Sequence, residues 1–235
     1  MYWLFKLRLI PFLPVLYLEA ARIRSKGVKL PARSENVIFG IGPARILVLG
    51  ESTAAGVGAS TFEKTLAGHL SGLFGNDFTI ENYGRNGLRV REAYPLLKNL
   101  RTENPKKISG VILFLGANDC FRVTQPTAFK RELKHLINQI ESESHPEWIY
   151  LADIPPVHLF PAFSEKMRDF LKIQRQFLQN EMIELARENA KIVFDPLSVE
   201  ISPGFFSEDQ IHPSDLGYQK IAAFAIQGLK KRNLF

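Results

Sequence analysis

From Arg45 onward, short apolar runs alternate with longer segments whose apolar residues recur every three or four positions. The runs predict strands at Ile46–Leu49, Phe78–Glu81, Val111–Leu115, Trp148–Ala152 and Ile192–Phe194. The longer segments predict amphipathic helices at Glu63–Leu73, Val90–Leu100, Phe129–Ile140, Lys166–Asn189 and Leu216–Leu229. Pro95 falls inside the second helix and predicts a kink or a later start. Asn104-Pro105 and His145-Pro146 close the second and third helices, because the residue before a proline is driven out of helical backbone. Strands alternating with helices imply an α/β fold: a parallel sheet covered by helices on both faces.

The first 27 residues follow another pattern. Their longest uncharged apolar run, Leu9 to Leu18, is about half the ~20 residues that a spanning helix needs, and Pro11 and Pro14 interrupt it. Lys6 and Arg8 precede this run, as in a secretory signal, but the prolines and the weak small-residue site at Ala20-Ala21 argue against cleavage. Arg22, Arg24 and Lys26 follow, which fits an interfacial segment over residues 1–26 with Trp3, Phe5 and Phe12 in lipid and the cations at the headgroups. An apolar arm packed on the protein's own surface fits equally well. The expected division is a leader over 1–40 and a folded domain over 41–235.

Composition narrows the function classes. With 46% hydrophobic residues in 235, a large buried core is available. The net charge of +6 comes from scattered Lys and Arg, without the dense basic block that nucleic-acid binding calls for, so no nucleic acid is expected as a partner. The single cysteine, Cys120, excludes an internal disulfide, and no Cys/His cluster has zinc spacing.

Four segments carry candidate chemistry: Gly50-Glu51-Ser52, Asn82–Gly87, Gly116-Ala117-Asn118-Asp119 and Asp209-Gln210-Ile211-His212. On the expected scaffold the first three follow strand carboxyl ends, where open α/β sheets bind ligands, and the fourth precedes the last helix, which Pro213 and Ser214 would start. Together they offer a hydroxyl nucleophile, oxyanion donors, and a histidine base with a nearby carboxylate. Each alone has an ordinary structural use: Ser52 as a helix cap, the glycines for positive φ, Asn118-Asp119 as a turn, and Asp209 as a cap of the final helix. Competing motifs fail. The Gly50 to Gly58 stretch lacks the spacing and lysine of a P-loop, the dinucleotide fingerprint, and, with Ala54 in the final position, the Gly-x-Ser-x-Gly elbow.

In this order the segments resemble the four blocks of the SGNH or GDSL hydrolases, a superfamily of esterases and lipases, over roughly Ile46 to Phe224. The resemblance implies a three-layer α/β/α sandwich with a five-stranded parallel sheet. It makes Ser52 the nucleophile, His212 the general base and later acid, and Asp209 the residue that orients the imidazole. The oxyanion hole would be the Ser52 and Gly87 backbone N–H groups and the Asn118 amide. No metal or organic cofactor is needed. Glu51 stands where the family usually has Asp, one methylene longer, which alters how the acid can brace the nucleophile turn. The chain also looks like a bacterial subgroup with an apolar, proline-containing leader and a Pro-Pro loop, here Ile154-Pro155-Pro156-Val157, so a cytoplasmic or peripheral inner-membrane location is expected.

Leader and Phe-rich loop favour an acyl-lipid ester, as in a lysophospholipase, lipase or thioesterase. A carbohydrate acetyl ester, and a noncatalytic membrane-associated binding protein, are the alternatives. Among the other histidines, His69, His135 and His145 have no partner suggested by the sequence. His158, with Leu159, Phe160 and Phe163, is either a pocket residue or core.

Overall fold

The computed structural model describes residues 2–97 and 108–235. Five strands lie where the apolar runs predict them: β2 (Ala44–Gly50), β3 (Phe78–Gly84), β4 (Ile108–Phe114), β5 (Trp148–Leu151) and β6 (Ile192–Val193). A sixth, β1 (Val37–Phe39), was not predicted, and the sheet has six strands in the order β1-β3-β2-β4-β5-β6. The five expected strands are parallel, whereas β1 runs antiparallel to β3 at the edge. The reason it escapes pattern analysis is physical. Three residues between the left-handed Asn36 and Gly40 are too few to establish a period, and an edge strand is stabilised by its neighbour's backbone more than by its own burial.

The helices are α3 (Leu66–Phe74), α4 (Val90–Leu97), α5 (Ala117–Phe121), α6 (Pro126–Ser144), α7 (Glu165–Glu188) and α8 (Asp215–Lys230). Thr65, Ser164 and Ser214 cap α3, α7 and α8, each side chain accepting a backbone N–H from the first turn. Pro95 sits within α4, and the predicted remainder of that helix and the Asn104-Pro105 break lie outside the described residues. His145 ends α6 in left-handed backbone (φ 45°) before Pro146.

Side chains alternate across the sheet and build two cores. Leu47, Leu49, Val111, Leu113, Ile149 and Leu151 face α6 and α7, with Val90 and Ala93 of α4 in the same layer. Ile46, Val48, Ile80, Ile112, Trp148 and Tyr150 face α3 and α8. This is the three-layer α/β/α arrangement, with β2 buried on both faces as a central parallel strand must be.

Ahead of the sheet, the leader folds into α1 (Tyr2–Leu9), a 3₁₀ turn over Ile10–Phe12 and α2 (Leu13–Lys26). Pro11 and Pro14 fall in the first turns of the 3₁₀ segment and of α2, where a missing N–H costs nothing, so they divide the segment rather than unravel it. Among the described residues no helix is long and apolar enough to cross a membrane. The leader packs on α7: the Phe5 ring stacks on Phe170 at 5.4 Å and Tyr2 meets Phe177 edge-on at 5.1 Å. Phe5 therefore faces the protein, contrary to the expectation that it would enter lipid.

The turn after β2 lies directly on the end of β3. A Cβ on Gly84 would sit 2.3 Å from Ala55 N and 2.4 Å from Ala54 C, so only glycine admits this approach. Gly84→Ala is expected to lower stability by roughly 1–3 kcal/mol, the usual cost of overpacking a filled site, seen as a lower urea midpoint at unchanged slope.

Candidate active site

All four segments meet at the carboxyl rim of the sheet. Ser52 follows β2, Gly87 follows β3, Asn118 opens α5 after β4, and Asp209 and His212 lie in the loop before α8. Ser52, Asn118 and His212 line one cavity of about 880 Å³. Gly87 is exposed beside it, with φ +78°, and its neighbour Asn86 lines the cavity.

The nucleophile turn is braced from two sides. Asn82 donates its Nδ2 to Ala54 O at 2.8 Å and also to Ser34 O, while Ser34 Oγ donates to Ala54 O at 2.9 Å. On the other side Glu51 reaches across the rim. It accepts the Ala117 N–H at 2.8 Å, the Asn118 N–H at 2.9 Å and the Asn118 Nδ2 at 2.5 Å. The longer carboxylate thus joins the β2 and β4 loops directly. Burial pushes the Glu51 carboxyl up to about 7, with the amides of Asn118 and Ala117 acting in the opposite direction. The second acceptor of Asn118 Nδ2 is Leu88 O, at a longer 3.2 Å. Next to it, Asp119 accepts from Val90 N at 3.1 Å and Thr124 Oγ1 at 2.8 Å, which fixes the start of α4 against α5.

Backbone donors remain free. Among the described residues neither the Ser52 nor the Gly87 N–H has an acceptor, and a Cβ on Gly87 would meet nothing within 4 Å. Both groups can therefore donate to an incoming oxygen.

The last loop orients the histidine. Asp209 Oδ2 lies 2.5 Å from His212 Nδ1, and Asp209 Oδ1 accepts the N–H groups of Ile211 and His212 at 3.0 and 2.9 Å. Ser207 adds a bond from its Oγ to Asp209 Oδ1 at 3.0 Å. Burial raises the Asp209 carboxyl, but the His212 ring and the two amides outweigh it and hold the group at about 2. Asp209 does not cap α8, a task that Ser214 performs. No hydrogen bond links Ser52 Oγ to His212, whose Nε2 has no protein partner among the described residues; such bonds commonly tighten only when substrate binds.

The rest of the cavity is apolar. Of the two uses open to Phe160 and Phe163 of the Pro-Pro loop, lining the cavity is the one seen; Phe121 and Phe206 join them, with ring centroids 5.6–6.5 Å apart. The loop is held by the part-buried Arg175–Asp153 pair at 2.7 Å and by Arg175 Nε donating to Ile154 O at 2.8 Å. His158 does not line the cavity; its buried Nδ1 has no partner among the described residues, and burial lowers its pKa. His69 lies in α3, and His135 of α6 meets the edge of Tyr94. Sequence reasoning missed the leader's share of the wall. Leu9, Leu13, Leu16 and Ala20 line the cavity, and their spacing of three to four residues was the available signal.

Fold and rim together define an α/β/α ester hydrolase. The chain belongs to the GDSL-like lipase/acylhydrolase family, whose model matches residues 48–220. Similar solved structures include Est24, a carbohydrate acetylesterase from Sinorhizobium meliloti, at 17% identity and TM-score 0.65, covering 82% of this chain and 100% of that one. The native aryl esterase of M. smegmatis is similar at 19% identity and TM-score 0.63, covering 82% and 100%. TesA is similar at 20% identity and TM-score 0.64, covering 81% and 99%. At such identities the likeness is one of fold. No curated protein sequence matches the chain.

The Glu51 carboxyl makes a pH prediction. An unfolded chain releases its proton near 4.5, whereas the folded protein keeps it to about 7. Between these values the folded state binds more protons, so this group's contribution to stability falls as pH rises. Glu51→Gln is expected to remove that part of the decline, seen as a flatter thermal midpoint between pH 4.5 and 7 than in the wild type.

Proposed function

We propose that this chain is a serine esterase for lipid-type acyl esters, working through Ser52, His212 and Asp209. The Ser52 Oγ attacks the acyl carbonyl while His212 Nε2 takes its proton. The ester C–O bond then breaks, and the proton passes to the leaving oxygen. Water repeats the sequence on the acyl-enzyme, giving acid and alcohol and restoring the serine. Asp209, held at about 2 and so ionised near neutral pH, keeps Nδ1 protonated and stabilises the imidazolium.

The carbonyl oxygen gains charge in the tetrahedral intermediate. Free N–H groups on Ser52 and Gly87 suit it as donors. Asn118 would contribute through the Nδ2 hydrogen that turns toward Leu88 O at 3.2 Å, while Glu51 holds the other.

The observation that carries the substrate class is the cavity itself: it includes Ser52, Asn118 and His212, and its walls are mainly aliphatic and aromatic. An acetyl group on a sugar needs only a shallow polar cleft, so the carbohydrate acetylesterase reading is the weaker. A noncatalytic binding protein would have no need of the Asp209–His212 pair.

A lipid substrate fits a membrane surface as partner. Trp3, Leu4, Leu7, Ile10 and Phe12 point outward, with Trp3 70% exposed, alongside Lys6 and Arg8. Large apolar groups flanked by cations suit an anionic interface.

Ser52→Ala is expected to abolish hydrolysis of p-nitrophenyl esters, and Asn118→Ala to lower kcat by about 10²–10³, the range for losing one oxyanion donor. Full activity in Ser52→Ala would refute the mechanism. Cosedimentation with phosphatidylglycerol vesicles should fall in the Trp3→Asp, Ile10→Asp double variant; unchanged sedimentation would remove the membrane assignment.

A further inference from the structure

We infer that helix α2 of the leader is a wall of the acyl-chain site, so that the leader helps set chain-length preference as well as any membrane contact. The inference rests on the acyl-ester reading above and deepens it.

Leu13, Leu16, Ala20 and Ile23 recur at three- and four-residue steps along α2, which places them on one helix face, and all four line the cavity. Leu9 at the end of α1 extends the same stripe. Phe121, Phe163 and Phe170 of the hydrolase layers line the same cavity, as do Ser52 and His212. Without α2 this apolar surface would face water.

The helix is fastened there. Glu19 accepts from Ser164 N at 2.7 Å and Ser164 Oγ at 2.6 Å, at the residue that caps α7. Tyr2 Oη donates toward Val123 O at 3.2 Å and Thr124 O at 3.3 Å, behind α5. Polar ties at both ends of the leader hold a wall in one position, which a freely swinging tether would not require.

The occupant this wall fits is a single long acyl chain. At about 880 Å³ the cavity is near the upper end of ordinary ligand sites, and its mainly apolar walls offer little to a hydroxylated ligand. The family match begins at residue 48, so this wall is an addition to the shared hydrolase unit. Each methylene buried against it should tighten binding roughly fourfold.

The test uses the full-length protein. Ala20 and Val15 are both exposed, but only Ala20 lines the cavity, so Ala20→Trp adds bulk inside it and Val15→Trp adds the same bulk outside it. The kcat/KM ratio of p-nitrophenyl laurate to p-nitrophenyl butyrate should fall at least about tenfold in Ala20→Trp, a loss equivalent to roughly two methylenes, and stay within twofold in Val15→Trp. An unchanged circular dichroism spectrum and thermal midpoint show that Ala20→Trp is folded. Calorimetric titration of lauric acid into Ser52→Ala, with and without Ala20→Trp, gives a readout that needs no catalysis, and the added tryptophan should weaken binding at least about tenfold.

An unchanged ratio in Ala20→Trp, or an equal fall in Val15→Trp, would overturn the inference. If hydrolysis proves independent of Ser52, the esterase reading fails and the lauric acid titration alone decides: weakened binding sustains the wall, and equal binding or none removes it.

Discussion

The buried carboxyl of Glu51 is the constraint around which the rim is organised. It sits at the end of the central strand with no cation beside it among the described residues, so its oxygens must find hydrogen-bond donors within the fold. The donors are the amides that begin α5 and the Asn118 side chain, which means that the nucleophile turn and the Asn118 loop cannot move independently. Asn82 and Gly84 secure the same turn from β3, one by hydrogen bonding and one by having no side chain. An aspartate in place of Glu51 has one methylene less with which to span the same gap.

Two carboxyl groups near one rim are driven in opposite directions by their surroundings. Glu51 is enclosed and rises to about 7, while Asp209 faces an imidazole and two backbone amides and falls to about 2. The contrast suits their tasks in the proposed reaction. A group that orients a histidine must stay charged as the histidine changes charge. A brace beside a site of developing negative charge is better placed if it ionises reluctantly.

The leader has two dissimilar faces. One packs on α7 and lines the cavity, and the other leaves Trp3, Leu4, Leu7 and Ile10 in solvent. Burial of Leu9 and Leu16 and the stacking of Phe5 on Phe170 explain why a short, proline-interrupted and only partly apolar segment is helical at all. Helices of this length gain most of their stability from tertiary packing. The outer face has no counterpart within the described chain, and a lipid interface would cover it.

Much of the fold was legible in the chain because its signals are local and repeated. The Ile46–Leu49 and Val111–Leu115 runs read as strands without reference to anything else, and the Lys166–Asn189 period specified α7 to within a residue at each end. Ser52, Asn118, Asp209 and His212 could be named because blocks in a fixed order and at strand ends carry meaning beyond each residue. What the sequence alone determined was therefore the layer architecture, apart from the edge strand Val37–Phe39, and the candidate chemistry at its rim. Only the tertiary structure decided that Glu51 bonds to Asn118, that Phe5 turns inward, that His158 stays out of the cavity and that α2 forms its wall. Each of these is a contact between segments far apart in the chain, set by which surfaces are left to be buried once the sheet has formed, and no local period encodes it.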